Sequence, residues 1–131
     1  MKFKDSIKII KPDDWHVHLR DENMLEAVIE YSSRINHRCI VMPNLEIPIT
    51  NSKQGLSYKE KISRLSKNKD FIPLLPCYLS ENLDLQDFKL ALELDIFIGA
   101  KLYPTNATNN SSYGISNIEN IFPALEILEL L

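Results

Sequence analysis

The sequence predicts an α/β protein built from parallel βαβ units. Short apolar runs bounded by Pro, Asn or Asp alternate with stretches whose apolar residues recur every three or four positions, and the alternation occurs four times in 131 residues. No linker or change of composition divides the chain. Repeated strand and helix units favour parallel strands joined by right-handed crossovers. A flavodoxin-like open sheet could use four units, whereas a (β/α)8 barrel needs eight and about 250 residues.

Four strands are predicted from the short apolar runs, at residues 15–19, 38–42, 71–79 and 96–103. Between them, apolar residues spaced three or four positions apart predict helices that each bury one stripe. The stripes are Met24, Val28, Tyr31 and Ile35 in the first helix, Tyr58, Ile62 and Leu65 in the second, and Leu85, Phe88 and Leu92 in the third.

A fourth helix is expected after Ser116, because Ser116 and Glu119 have the spacing of a capping box. Its apolar stripe is Ile118, Phe122 and Leu125. Pro123 indicates that the helix is kinked or that its regular part begins only there. The segment from Leu125 to Leu131 is still in helical rhythm when the chain stops, without a glycine cap or a turn. The pattern predicts a truncated sequence, and a natural, frayed C-terminus is the alternative.

Composition and charge argue against several classes of protein. With 44% hydrophobic and 25% charged residues the chain is typical of a soluble domain, and its net charge of -3 offers no broad basic surface for nucleic acid. The apolar runs are far shorter than the roughly 18 residues that span a bilayer, and the N-terminus lacks a signal peptide's apolar block, so a cytoplasmic protein is expected. Cys39 and Cys77 lie in apolar runs, which favours reduced core residues.

The first strand carries the strongest chemical signal. Alternation puts His16, His18 and Arg20 on the face opposite its apolar residues. A half-exposed strand would explain this, but strands of a βαβ sheet are covered on both faces, where imidazoles and a guanidinium need partners. Side chains two apart lie roughly 6 to 7 Å from each other, so both rings could bind one metal ion. An isolated His-x-His is a weak signal, but it favours a metal site at the carboxyl end of a parallel strand, where barrel active sites lie.

Lys101 is unexpected near the end of the apolar fourth strand. A lone lysine there could extend its amine to solvent. A desolvated amine could instead react with a carbonyl as a Schiff base, or with carbon dioxide as a carbamate. A carbamate would turn a cation into an anionic oxygen ligand that can bridge two divalent ions. The spacing alone leaves these alternatives open.

Polar residues also follow the other strands. Asn44 closes the second strand where a barrel would place a substrate contact, although a turn is the simpler role. Residues 104–114 form a polar loop, longer than ordinary βα connections, that could be a lid or a flexible surface loop. His37 is expected at the surface.

Three motifs together resemble a known family. The segments PDDWHVHLRD at 12–21, VMPNL at 41–45 and KLYP at 101–104 resemble, in order and spacing, the N-terminal part of the single-function bacterial dihydroorotases of the amidohydrolase superfamily. The resemblance runs from about Ile9 to the last residue, and residues 106–112 are similar to that family's active-site loop. Three ordered motifs are far more specific than any one of them.

The resemblance implies a (β/α)8 TIM barrel of the metallo-dependent hydrolase type. Residues 1–131 would supply about its first four βα units, as the N-terminal half of a single barrel domain. It also implies reversible interconversion of N-carbamoyl-L-aspartate and L-dihydroorotate in pyrimidine biosynthesis, with two zinc ions in the complete active site.

The resemblance assigns roles to five of the polar residues. His16 and His18 bind the more buried zinc ion, and Lys101, carboxylated on its amine, bridges both ions. Arg20 and Asn44 hold the substrate's carboxylate, the arginine through a two-pronged contact.

Two features depart from the family's pattern. Thr108 is expected in the loop that closes over the substrate, but Asn109 stands where the family has a second threonine. The family's further zinc-binding histidines lie on later strands, and no histidine follows His37 here. Its general-base aspartate lies on a later strand too, and is expected beyond Leu131. We therefore expect this half alone to be inactive.

Other functions are carried as alternatives. One alternative is a hydantoinase-like amidohydrolase, although Arg20, Asn44 and the polar loop argue against it. The other is a non-enzymatic half-barrel that binds metal weakly or pairs with itself or another subunit. Cobalt or manganese could replace zinc at such ligands. The full-length protein is expected to act on a small molecule, with neither nucleic acid nor membrane as a partner, and a homodimer is one possible assembly.

Overall fold

The computed structural model describes residues 6–130 and consists of alternating strands and helices. In chain order these are β1 (Asp14–Val17), α1 (Glu22–Ile35), β2 (Arg38–Val41), α2 (Ser52–Leu65), β3 (Ile72–Leu74), β4 (Cys77–Tyr78), α3 (Leu85–Glu93), β5 (Ala100–Lys101), a 3₁₀ helix (Ile118–Ile121) and α4 (Phe122–Glu129). The strands pair in parallel, as β1-β2-β3 in one sheet and β4-β5 in another. The α/β class is confirmed, and residues 6–130 form a partial barrel.

Side-chain caps set the starts of the three long helices. Asp21 accepts a hydrogen bond from the first N–H of α1, Asn51 accepts one from the third residue of α2, and Asp84 accepts two from the first turn of α3. Each cap satisfies main-chain donors that have no partner inside the helix. The caps therefore fix where each strand-to-helix loop ends.

The predicted strands at 15–19 and 38–42 correspond to β1 and β2 within two residues. The predicted strand at 71–79 is two strands, β3 and β4, that separate at Pro76. The ladder with β2 ends at Leu74, and the Leu75 carbonyl already accepts a hydrogen bond from the Ile98 N–H at 3.0 Å. From Cys77 onward the chain pairs with β5 instead.

The predicted strand at 96–103 is wrong in its first half. Ile96 and Phe97 donate their N–H groups to the carbonyl of Ala91, at 2.8 and 3.1 Å, and so complete the end of α3. Only Ala100–Lys101 form the ladder of β5. Ile96 and Phe97 therefore belong to the end of the helix, although their apolar side chains are typical of a strand.

The apolar stripe of α2 is confirmed, and that of α3 is confirmed except at its first residue, whereas the stripes of α1 and of the fourth predicted helix are wrong. The exposed members of the predicted stripes are Met24, Tyr31 and Ile35 in α1, Leu85 in α3, and Ile118, Phe122 and Leu125. The residues buried instead are Leu25, Ile29 and Ser33 in α1, and Ile121 and Ala124. Each of these helices has apolar residues on two adjacent faces, so spacing alone does not select the face that packs on the strands.

The predicted capping box at the fourth helix is also wrong. Asn117 is the cap, since its Oδ1 accepts the Glu119 N–H at 3.1 Å, and Ser116 binds Glu81 instead. Pro123 lies in the first turn of α4, where its missing N–H breaks no helical hydrogen bond. The second interpretation of Pro123, a regular helix that begins there, is confirmed.

The last predicted helical segment, from Leu125 to Leu131, is helical as far as Glu129, where α4 ends. Leu130 caps the helix, and its N–H donates to the carbonyl of Ile127 at 3.3 Å. Leu131 lies outside the described residues. The expectations of a truncated sequence and of a general-base aspartate beyond Leu131 therefore stay predictions.

The core lies between the helices and the strands. Cys39 and Cys77 are both free and buried within it, as predicted, and burial raises the pKa of their thiols to about 11 and about 12. His37 is exposed, also as predicted. Within residues 6–130, no helix has both the length and the apolar character needed to cross a membrane.

Candidate active site

One cleft of about 320 Å³ contains all six site residues predicted from the sequence. Its lining is His16, His18, Arg20, Asn44, Lys101, Leu102, Tyr103, Pro104, Thr108 and Asn109. These residues lie at or just after the carboxyl ends of β1, β2 and β5, the edge at which parallel α/β folds bind ligands. Three larger clefts, of about 460, 510 and 350 Å³, have no histidine in their linings. The structure thus brings the predicted residues together, and their individual roles stay predictions.

The two imidazoles from the end of β1 converge. The Nε2 atoms of His16 and His18 lie 3.2 Å apart, and the ring centroids 5.1 Å apart. Two nitrogen ligands of a tetrahedral zinc ion, each roughly 2.0–2.1 Å from the metal, are about 3.3 Å from each other. The pair therefore fits a shared metal ion.

The surroundings of His18 favour its neutral form. His16 and His18 are both exposed. Partial desolvation in the cleft lowers the pKa of His18, as do the positive charges of Arg20 and His16, while the Asn44 side chain acts in the opposite direction. Neutral imidazole is the form that binds metal, because the ligating nitrogen must be free of its proton. The electrostatics thus agree with the geometry of the histidine pair.

Lys101 reaches the same cleft from the end of β5. It is partly buried, and its Nζ lies 5.8 Å from the centre of the Tyr103 ring. Among residues 6–130, no cluster of three His, Cys, Asp or Glu side chains could hold a metal. A carboxylated Lys101 would add an anionic oxygen to the two imidazoles of the cleft.

Arg20 and Asn44 lie beside each other in the lining of the cleft. The guanidinium Nη1 of Arg20 donates to the carbonyl of Asn44 at 3.4 Å. Asn44 is only 2% exposed, and its Oδ1 has no hydrogen-bond partner among the described residues. The cleft therefore presents a guanidinium next to a buried amide, a combination suited to a carboxylate with a neighbouring N–H group.

The polar loop 104–114 lies against the cleft. Asn44 Nδ2 donates to the carbonyl of Asn109 at 3.0 Å, and Asn110 Nδ2 donates to the carbonyl of Asn44 at 3.1 Å. These bonds tie the loop to the end of β2. The placement beside the cleft is common to both expectations, a lid and a flexible surface loop, and both stay predictions.

Thr108 is held in the loop through its main chain. Its N–H donates to Ser111 Oγ at 3.0 Å, and Ser111 Oγ donates to the Thr108 carbonyl at 2.6 Å. Ser111 is buried, whereas the Thr108 side chain is exposed at the cleft. The threonine side chain is therefore free to contact a bound molecule.

Sequence reasoning assigns no role to Tyr103, which lines the cleft beside Lys101. Its ring stacks on that of Tyr78 with centroids 5.0 Å apart, and its buried hydroxyl has no hydrogen-bond partner among the described residues. Burial raises the pKa of Tyr103 to about 12, so the hydroxyl stays protonated. Strand alternation, which puts Tyr103 on the face of Lys101, is the signal that could have identified it.

Parallel strands with imidazoles, an amine and a guanidinium in one polar cleft at their carboxyl ends define part of an α/β barrel. No family model matches the chain. The dihydroorotase of Buchnera aphidicola subsp. Schizaphis graminum is 48% identical over 129 residues, which are 98% of this chain and 37% of that protein. The dihydroorotase of Salmonella arizonae is 47% identical over 126 residues, 95% of this chain and 36% of that protein.

Solved structures lead to the same family. The crystal structure of Saccharomyces cerevisiae dihydroorotase in complex with 5-fluoroorotic acid matches with a TM-score of 0.84 and 27% identity, over 91% of this chain and 33% of that one. The crystal structure of dihydroorotase from Campylobacter jejuni matches with a TM-score of 0.81 and 36% identity. The match covers 90% of this chain and 35% of that one. The chain belongs to the dihydroorotase family, and it spans about one third of the length of the curated relatives it matches.

Proposed function

We propose that this chain supplies the metal-binding and carboxylate-binding part of a dihydroorotase active site. The complete protein would interconvert N-carbamoyl-L-aspartate and L-dihydroorotate, a reaction of pyrimidine biosynthesis that opens or closes a cyclic amide. The proposal is carried by one observation: two imidazoles, an amine and a guanidinium, which lie at or just after the ends of β1 and β5, meet in one cleft of a chain homologous to dihydroorotases.

Three residues would hold the metal. His16 and His18 would bind a zinc ion through their Nε2 atoms, and Lys101, as N6-carboxylysine, would provide an oxygen ligand to each of two zinc ions. Bound zinc supplies Lewis acidity toward the amide carbonyl and toward water. The remaining ligands and the general-base aspartate would belong to the part of the relatives' length that this chain does not span.

Arg20 and Asn44 would orient the substrate. A guanidinium binds a carboxylate through two parallel, charge-assisted hydrogen bonds, which fix direction as well as distance. Asn44 uses one N–H for the loop, and its second N–H would donate to the same carboxylate. Thr108, in the loop tied to Asn44, would help to exclude water from the bound ring.

The proposal extends to the state of the protein. The complete enzyme would be cytoplasmic, with a homodimer as one assembly that it could adopt, and residues 1–131 alone would be inactive. The inactivity of residues 1–131 is tested together with the activity.

The test uses the product of the complete open reading frame that encodes this chain, hereafter the full product, and residues 1–131 alone. With zinc, the full product should hydrolyse L-dihydroorotate but not hydantoin, and residues 1–131 should hydrolyse neither. Hydrolysis of hydantoin but not L-dihydroorotate would establish a hydantoinase-like enzyme. Stoichiometric zinc without turnover of either compound would favour a metal-binding module.

Lys101→Ala in the full product tests the carboxylated lysine, with exposed Lys67→Ala as the control. Activity should be lost in the first variant and kept in the second. Intact-mass analysis under non-acidic conditions should show a carbon dioxide adduct that Lys101→Ala lacks. If Lys101→Ala keeps its activity and the unsubstituted full product shows no carbon dioxide adduct, the two-metal proposal is wrong.

A further inference from the structure

The turn between β1 and α1 has an unusual backbone. Arg20 has φ +60° and Glu22 has φ +48°, in the left-handed region that residues with side chains seldom occupy. Such a conformation persists only where the surrounding contacts hold it. Whatever holds this turn therefore determines where the Arg20 guanidinium points.

Two side chains of α2 hold the turn. Tyr58 Oη donates to the carbonyl of Arg20 at 2.5 Å. Lys61 Nζ donates to the carboxylates of Asp21 and Glu22 at 2.7 and 2.9 Å. Residues three positions apart lie on the same face of a helix, so one face of α2 binds both the main chain and the acidic side chains of the turn.

Of the two contacts, the tyrosine contact is the stronger candidate. Tyr58 is only 4% exposed, and burial raises the pKa of its hydroxyl, which therefore stays a donor. The ion pairs of Lys61 are partly exposed, and pairs of that kind contribute little. Removing the donor from the part-buried carbonyl of Arg20 is the costlier change, because the acceptor loses its protein partner.

We propose that Tyr58 is a positioning residue for Arg20. Its hydroxyl, bound to the Arg20 carbonyl, fixes the left-handed turn that aims the guanidinium into the cleft beside Asn44. Tyr58 does not line that cleft, so it acts through Arg20 and not on a ligand there. The inference rests on the proposed function, in which Arg20 holds the substrate's carboxylate.

The kinetic test compares Tyr58→Phe with Tyr31→Phe in the zinc-loaded full product. Tyr31 is a matched control, since it is 67% exposed on α1. Tyr58→Phe should raise KM for L-dihydroorotate roughly tenfold, the ratio that corresponds to one lost hydrogen bond, while kcat changes little. Tyr31→Phe should change neither. A loss confined to kcat would overturn the proposal.

A double variant separates positioning from general destabilisation. In an Arg20→Ala background, Tyr58→Phe should raise KM no further, because its effect passes through the missing guanidinium. If the two increases multiply, Tyr58 acts independently of Arg20 and the proposal is wrong.

A second measurement needs no substrate. The rate at which phenylglyoxal modifies Arg20, followed by peptide mass spectrometry, should rise in Tyr58→Phe, while that of exposed Arg64 on α2 should not. An unchanged Arg20 rate would overturn the positioning role. If the wild-type full product fails to hydrolyse L-dihydroorotate, the proposed function fails, and this rate still decides whether Tyr58 holds Arg20.

Discussion

Asn44, at the end of β2, holds Asn109 by a hydrogen bond of 3.0 Å from its side-chain Nδ2 to the Asn109 carbonyl. The acceptor is a main-chain oxygen, so the bond does not depend on which side chain follows Thr108. The asparagine that replaces the family's second threonine therefore leaves this contact intact. What the substitution changes is the group that the loop can present to a bound molecule.

Asn44→Asp should loosen the loop at 104–114. The change removes the N–H donor and puts a carboxylate oxygen next to the carbonyl of Asn109. Amide hydrogen exchange in the loop should then be about tenfold faster, as expected when one hydrogen bond is lost. Asn82→Asp introduces the same charge at an exposed position and should leave the exchange unchanged. Equal exchange in both variants would show that Asn44 does not hold the loop.

His18→Ala should weaken zinc binding, whereas His37→Ala should not. His18 Nε2 lies 3.2 Å from His16 Nε2, while His37 is exposed and outside the cleft. Loss of an outer partner of a metal ligand already costs roughly 10- to 100-fold in affinity, so loss of a ligand should cost more. Chelator competition at pH 7 measures the effect. Matching zinc affinities in the two variants would rule out a shared metal at His16 and His18.

The site was more predictable from sequence than the packing that supports it. Strand alternation places His16 and His18 on one face, and right-handed crossovers bring Lys101 to the same edge, so local pattern and topology suffice. The role of Tyr58 was hidden, because its spacing shows only an apolar stripe residue. The partner of its hydroxyl depends on how α2 packs against the turn at Arg20, which no local pattern specifies.

The same limit explains the wrong face of α1, and a matched pair of substitutions tests the correction. Ile29 is 2% exposed and Ile35 is 55% exposed. Ile29→Val should lower the free energy of unfolding by about 0.5–1.5 kcal/mol, because it leaves a methyl-sized space in the core. Ile35→Val should change it by less than about 0.5 kcal/mol. Urea denaturation measures the free energy of unfolding of both variants. A larger decrease for Ile35→Val than for Ile29→Val would mean that the stripe predicted from spacing is the buried one.

Glu81 should make stability depend on pH in the acid range. Its Oε1 accepts hydrogen bonds from the N–H and Oγ of Ser116, both at 2.7 Å, and from the N–H of Asn117 at 3.1 Å. The hydrogen bond with Ser116 is the main cause that lowers the Glu81 pKa from 4.5 to about 2. A carboxyl whose pKa is lowered by folding stabilises the fold above its unfolded-state pKa, and this contribution is lost as pH falls through the folded-state value.

Glu81→Gln should therefore lower Tm at pH 6, and the gap to wild type should shrink as pH falls from 4.5 to about 2. The gap closes because protonation removes from wild type the charge that the variant already lacks. Glu46→Gln, at an exposed position, should show no such gap. Thermal denaturation followed by circular dichroism at several pH values measures the difference. A Tm gap at Glu81 that keeps its size down to pH 2 would mean that the carboxylate's charge does not hold the segment at Ser116 and Asn117.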